Sequence, residues 1–481
     1  AVAQFLSGLA GGPPRETHIS AVFIGADAVW KLKKAVRMPF LDFTTPAARE
    51  HFLRRELEIN KPAAPELYQD IIGIIRNHDG TLGFGNDNPI DFVLRMARVP
   101  EADFLDVIVS HGGLTPDLMD ALGDTVAAYH ARIPRRDGVN FADSMRRITE
   151  GNVRSALNVG FPPDGVDRWQ KQMLAAIAAR RLWFAARSAA GFIRRCHGDL
   201  HLGNICLWNG RPVPFDALEF DEALATIDVG YDLGFLLMDL DRHVGRTAAN
   251  RVMNRYVART GDAGLTAGLP IFLSQRAIIR GHVLAAMGQD QSGYLAAAQA
   301  YLAPPPPVVV AIGGLQGSGK STLARDLAPD LGPAPGALVL RSDETRKRLH
   351  GVPPEARLPP DAYGSTANTA TNNALIEQAR LAAEAGHTVI VDATFLDPAI
   401  RRALAAAIRP TGTRFIGIWL QAPLSVLEQR IASRTGDASD ATVAVLHRSA
   451  QDDPGSGDWQ PIDATDATQA LRAVRQTLAR P

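Results

Sequence analysis

The run Val308-Val309-Val310-Ala311-Ile312-Gly313-Gly314-Leu315-Gln316-Gly317-Ser318-Gly319-Lys320-Ser321-Thr322 decides the fold of the downstream part of this 481-residue chain. Its β-branched opening reads as a short buried strand. The Gly-x-x-x-x-Gly-Lys-Ser spacing that follows is a phosphate loop, because glycines let backbone N–H groups curl around phosphate oxygens while the next helix points its positive end at them. Lys320 would neutralise β/γ-phosphate charge and the Ser321 hydroxyl would ligate magnesium, with Gly314, Gln316, Gly317, Ser318, Gly319 and Thr322 completing the nucleotide contacts. A glycine-rich turn without a ligand is the plainer reading, and the completeness of the match argues against it.

Just upstream, Ala303-Pro304-Pro305-Pro306-Pro307 cannot donate backbone hydrogen bonds from its prolines and favours a stiff extended spacer. The expected division is therefore a domain over 1–302, a linker over 303–307 and a second domain over 308–481, in keeping with a length too great for one ordinary core. Beyond the loop, strand-like stretches (ALVLR, TVIVDAT, RFIGIWL) alternate with helical ones, which predicts an α/β domain with helices on both faces of a central parallel sheet. Two of these strands end in acids. Asp343, in Ser342-Asp343-Glu344-Thr345-Arg346, and Asp392, in Val391-Asp392-Ala393, fall at the carboxyl edge where ligands of parallel sheets bind. A helix cap is the bland alternative for Ser342-Asp343. Arg430 and Arg434 lie four apart, on one face of a helix.

The first 302 residues read differently. Ala21-Val22-Phe23-Ile24 and Ala28-Val29-Trp30-Lys31-Leu32 flank Gly25-Ala26-Asp27 as an antiparallel hairpin, and Thr45-Pro46 caps a helix. A second β region runs to about 99, and most segments from about 103 onward are helical. The expectation is a small β-rich lobe followed by a larger α-rich lobe, an α+β arrangement. Its chemistry-bearing run is His197-Gly198-Asp199-Leu200-His201-Leu202-Gly203-Asn204, with Asp216 twelve residues beyond Asn204.

Formal charge is zero, from 51 basic and 51 acidic residues, so no global positive field gathers nucleic acid or anionic membrane. Only Cys196 and Cys206 occur, which excludes a disulfide framework and suits a reducing compartment. Neither a basic leader nor an apolar stretch of ~20 residues is present, so a soluble, cytoplasmic protein is expected, with no membrane partner.

Two resemblances follow from these runs. Past the phosphate loop, Asp343-x-x-Arg346 resembles the polynucleotide, zeta-toxin and gluconate kinase-like branch of phosphate-loop kinases. The resemblance implies that Asp343 activates the acceptor hydroxyl, Arg346 holds a neighbouring phosphate of the acceptor, Asp392 holds magnesium through water or orients Asp343, and Arg430 and Arg434 form a phosphate-clamping lid. The His197–Asn204 run resembles the catalytic loop of aminoglycoside phosphotransferases and choline kinases, within the protein-kinase-like fold. That likeness implies Asp199 as base, Asn204 and Asp216 as magnesium ligands, Lys31 paired with Glu56 on the nucleotide phosphates, and a hinge over Leu94–Arg98, Met96 included, at the adenine edge. Lys31, Lys33 and Lys34 compete for the lysine role, and strand alternation cannot separate Lys31 from Lys33. No glycine-rich loop precedes them; Thr17-His18-Ile19-Ser20 stands in its place.

Together the two halves resemble a bacterial bifunctional fusion of an aminoglycoside-phosphotransferase-like domain with a phosphate-loop kinase. The fusion implies ATP, or GTP, with Mg2+, and hydroxyl acceptors at both sites, a nucleic-acid end being one candidate at the second. A regulatory nucleotide-binding role for one domain, and phosphorylation of a protein or of the chain itself, stay open at this level.

Overall fold

The hairpin expected between Ala21 and Leu32 forms, with Val22 opposite Lys31 and Phe23 opposite Trp30. It belongs to a six-stranded antiparallel sheet in the order Arg15–Glu16, Ser20–Ile24, Ala28–Lys33, Asp91–Ala97, Tyr68–Arg76, Leu82–Phe84. These observations come from a computed structural model that describes residues 1–17, 19–38, 41–433 and 438–480. Alternation buries Phe23, Leu32, Ile74 and Val93 on one face of the sheet, where Leu6 of the unanticipated helix Val2–Ala10 covers them. Helix Pro46–Asn60 starts as Thr45-Pro46 dictates: Thr45 Oγ1 accepts from Ala48 N at 3.2 Å and Pro46 occupies the first turn.

Two compact units result. The first comprises Ala1–Ala121, Ala128–Val139 and Arg187–Leu236; the second comprises Leu122–Ala127, Asn140–Ala186 and Leu237–Pro481. Within the second, the downstream residues form a five-stranded, wholly parallel sheet in the order Leu338–Arg341, Val389–Asp392, Val308–Gly314, Arg414–Gln421, Gln460–Asp463. The phosphate-loop strand is central, so its C-terminal end opens between two neighbours, and the core of Val310, Ile312, Leu323, Leu327, Ile390 and Ile418 fixes it there. This is an α/β phosphate-loop fold. Among the described residues no helix is long and apolar enough to cross a membrane. Cys196 and Cys206 are both buried and are not joined in a disulfide.

Candidate functional site

Each unit carries its own cluster of chemical groups. In the second, the backbone at Gly314, Gly317 and Gly319 has φ of 135°, 81° and 89°, a region that penalises any side chain. A Cβ at Gly314 would lie 2.5 Å from Leu420 O, and one at Gly317 would lie 2.6 Å from Leu427 O. The turn thus requires glycine for two reasons, backbone conformation and contact. Helix Lys320–Leu327 begins immediately after it. Lys320 Nζ folds back over the loop and donates to Gly314 O at 2.9 Å and Leu315 O at 2.8 Å. Ser321 Oγ donates to Asp392 Oδ2 at 2.5 Å.

Gly317, Gly319, Lys320, Ser321 and Asp392 line a cleft of about 1010 Å3 that also receives Gln316, Ser318, Thr322, Asp343, Arg346 and Arg430. Nearly every downstream residue singled out from the sequence therefore meets in one place. Asp343 lies in the first turn of helix Ser342–Leu349, yet that helix is entered at Arg341 with no side-chain cap bond, so the capping alternative is not realised. Burial pushes the Asp343 carboxyl above its usual range; Arg341 pulls the other way and Asp392 adds to the rise. Arg346 is buried, donates from Nη1 to Ala362 O at 2.9 Å and stacks 4.8 Å from the Tyr363 ring centre. Arg430 reaches the wall beside the loop and donates to the carbonyls of Ala464 and Thr465, both at 2.9 Å. Helix Leu424–Ala432 ends before Arg434, which lies outside the described residues.

Sequence reasoning missed two residues that hold this cleft together, one of them, Asp440, in its lining. Arg341, itself buried, approaches Asp392 Oδ2 from Nε at 3.3 Å and Glu344 Oε1 from Nη1 at 3.0 Å, tying the end of its own strand to that of Val389–Asp392. Asp440 accepts from Tyr363 Oη at 2.6 Å, Leu358 N at 3.1 Å and Lys347 Nζ at 3.2 Å, and so pins the loop opposite the phosphate turn. Only a tertiary contact reveals either role.

In the first unit the three lysines have different partners. Lys31 Nζ lies 2.6 Å from Glu56 Oε1 and 2.5 Å from Asp216 Oδ1. Lys33, one pleat along on the same face, contacts Glu56 Oε2 at 2.7 Å and also Glu219. Glu56 thus bridges two lysines, and Lys31 with Asp216 forms the more exposed end of the array. Burial alone would lower the Lys31 pKa, but Asp216, Glu56 and Glu219 outweigh it and hold the ammonium well above its usual value. Lys34 turns away to Glu16 and Thr17 O.

The His197–Asn204 loop is held from below. Asp232, fully buried, accepts from His197 N at 3.1 Å, Gly198 N at 2.8 Å and His130 Nε2 at 3.1 Å. Gly198 has φ 85°, and a Cβ there would meet Leu218 Cδ1 at 2.7 Å. His197 donates from Nε2 to Phe215 O and accepts at Nδ1 from Asp199 N, an arrangement that suits a neutral ring; burial accordingly lowers its pKa. Asn204 Nδ2 donates to Asp199 O at 2.9 Å and Oδ2 at 3.1 Å. Asp216 adopts φ 62°, rare for a non-glycine residue, and its N–H donates to Tyr68 Oη at 2.9 Å. Asp228 binds Arg187 with both oxygens, at 2.6 and 2.8 Å.

Met96 sits in the strand Asp91–Ala97, opposite Val29 and Tyr68, and packs against the cluster of Leu53, Leu67, Tyr68 and Leu94. Arg98, just past it, donates to Gly25 O and Ala26 O. In place of a glycine loop, Thr17 N donates to Ser20 O at 2.8 Å and Thr17 Oγ1 accepts from Ser20 N at 3.0 Å, while His18 lies outside the described residues.

Residues 309–452 match the family model described as AAA domain. Along 90% of its length the chain is 28% identical to the uncharacterized protein Rv2004c of Mycobacterium tuberculosis, covering 88% of that protein. Among solved structures, a gluconokinase from Sinorhizobium meliloti is similar over 36% of the chain and 95% of its own, at 20% identity and a TM-score of 0.25. A choline kinase from Cryptosporidium parvum is similar over 60% of the chain and 87% of its own, at 10% identity and a TM-score of 0.38.

Proposed function

We propose that this chain is an ATP- and magnesium-dependent phosphotransferase with two sites, each moving the γ-phosphoryl group to a hydroxyl acceptor. The carrying observation is the convergence, in one cleft, of Lys320, the Ser321–Asp392 hydrogen bond at 2.5 Å and the buried carboxylate Asp343.

The donor set suits magnesium, a hard cation that takes hydroxyl and carboxylate oxygens: Ser321 and Asp392 in the cleft, Asp216 with the amide oxygen of Asn204 in the upstream cluster. Bound there, the ion would screen phosphate charge. The remaining work falls to the chain's own groups. Asp343 would accept the proton of the acceptor hydroxyl as its oxygen bonds to the γ-phosphorus and the bond to the β-phosphate oxygen breaks, releasing ADP. Its raised pKa suits a base working near neutral pH. Lys320 and the backbone N–H groups of the loop would hold the phosphates. Upstream, Asp199 takes the role of base, Lys31 positioned by Glu56 holds phosphate, and the likeness to protein-kinase-like phosphotransferases belongs to this reading.

Acceptors are assigned by transfer of label from γ-labelled ATP to a panel of sugars, aminoglycosides, nucleosides and 5′-hydroxyl oligonucleotides. An acceptor labelled by the Asp199→Ala variant and not by Asp343→Ala belongs to the cleft, and the converse assigns it upstream. Label that reaches no acceptor in the panel and only water, from either variant, would contradict the two-site reading.

A further inference from the structure

Helix Arg246–Thr260, which precedes the proline run in sequence, reaches two elements of the phosphate-loop cleft through side chains of adjacent residues. Strand Leu338–Arg341 lies at the edge of the parallel sheet and, among the described residues, pairs on one side, with Val389–Asp392. Its other side would leave backbone groups without strand partners. Asn254 supplies what a further strand would: Oδ1 accepts from Val339 N at 2.7 Å and Nδ2 donates to Ala337 O at 3.2 Å. Asn250, buried one turn earlier, adds a second donor to Ala337 O at 2.9 Å and itself accepts from Asn254. The strand so held runs directly into Arg341, which contacts Asp392, and then into Asp343.

The neighbouring Arg255 grips the opposite wall. It contacts Glu355 at 2.6 and 3.2 Å while Asp124 braces it with two bonds at 2.7 and 2.6 Å. Glu355 begins the segment whose Leu358 N and Tyr363 Oη both bind Asp440 at the cleft. At the end of the helix Gly261, with φ 73°, lies against the Arg348 guanidinium, where a Cβ would be 2.8 Å from Nε.

We infer that Asn254 and Arg255 are positioning residues for the acceptor half of the phosphate-loop cleft, so that a helix encoded before the proline run completes a site whose nucleotide half is built entirely after it. The inference rests on the cleft's phosphotransferase reading. It assigns the helix a task distinct from covering apolar surface: the bonds go to the backbone leading to Asp343 and to the loop leading to Tyr363, and none of them goes to residues 314–327.

The test uses the full chain in an Asp199→Ala background, with Asn254→Ala, Glu355→Gln and Lys320→Ala added singly. Hydrogen exchange is followed peptide by peptide, and phosphate release from MgATP to water gives kcat and KM. Asn254→Ala is expected to quicken exchange over 337–349 about tenfold, and Glu355→Gln over 352–363 by a smaller factor, with 314–327 unchanged. Both should lower kcat while leaving KM for ATP within about twofold. Exchange that rises equally in 314–327, exchange that does not change, or a KM that rises with an unaltered kcat would overturn the inference. Should Lys320→Ala leave phosphate release unaltered, the phosphotransferase reading of the cleft fails by itself, and the exchange arm still decides whether Asn254 and Arg255 hold the two segments.

Discussion

Ser321 Oγ and Asp392 Oδ2 are 2.5 Å apart, which joins the first turn of the phosphate-loop helix to the end of the adjacent parallel strand. The contact sets a hydroxyl and a carboxylate side by side beneath the cleft, with Arg341 closing on Asp392 from the edge strand. Ser321→Ala and Asp392→Asn should therefore each lower turnover at this site by about 10²-fold or more, the scale seen when a single preorganised electrostatic group is removed. Steady-state kinetics over a magnesium titration checks this, and an unchanged magnesium dependence would speak against a metal role for the pair.

Asp343 offers a signed pH prediction. Burial raises its folded-state pKa, so folding favours the protonated acid and the carboxylate is a destabilising group once pH exceeds the unfolded value, about 3.9. Asp343→Asn should raise the melting temperature at pH 7, and that gain should shrink as pH falls toward 4. Turnover behaves oppositely: the base works only when deprotonated, so wild-type activity should fall on acidification through an apparent pKa above the ordinary carboxylate range. Calorimetry and a pH–rate profile on the same preparations measure both.

The upstream ion array is buried, with Glu56 fully inaccessible between Lys31 and Lys33. Removing one member leaves charge uncompensated in a low-dielectric setting. Glu56→Ala should destabilise by about 3 kcal/mol or more, whereas a surface pair such as Lys171 with Asp167 should contribute about 1 kcal/mol or less. Denaturant unfolding of the two variants compares them directly.

Gly198 is required by backbone conformation and by Leu218 at once. Gly198→Ala should cost about 1–3 kcal/mol of local stability and abolish the upstream activity, because the strain falls on the residue before Asp199. Nucleotide affinity of the downstream cleft should not change; equilibrium binding to each site in the variant supplies the check.

What could be read from the sequence follows from how local each interaction is. The glycines of 314–319, and Asp199 with Asn204, act through a few consecutive residues, so their spacing already carries their geometry. The Lys31–Glu56 pairing was readable because a strand and a capped helix could be placed. The choice between Lys31 and Lys33 was not, since it depends on Asp216 and Glu219 arriving from 185 or more residues away. Arg341, Asp440 and Asn254 carried no signal for the same reason: each works by touching an element far along the chain. Strand Gln460–Asp463 escaped notice because an edge strand with one buried residue shows almost no apolar pattern.

The most direct test of the two-site account is ATP turnover, with and without acceptor, in Asp199→Ala, Asp343→Ala and the double variant. The account predicts that each single variant loses a different acceptor-stimulated activity while keeping the other, and that the double variant loses both. Loss of all acceptor-stimulated turnover in one single variant, with none lost in the other, would contradict it.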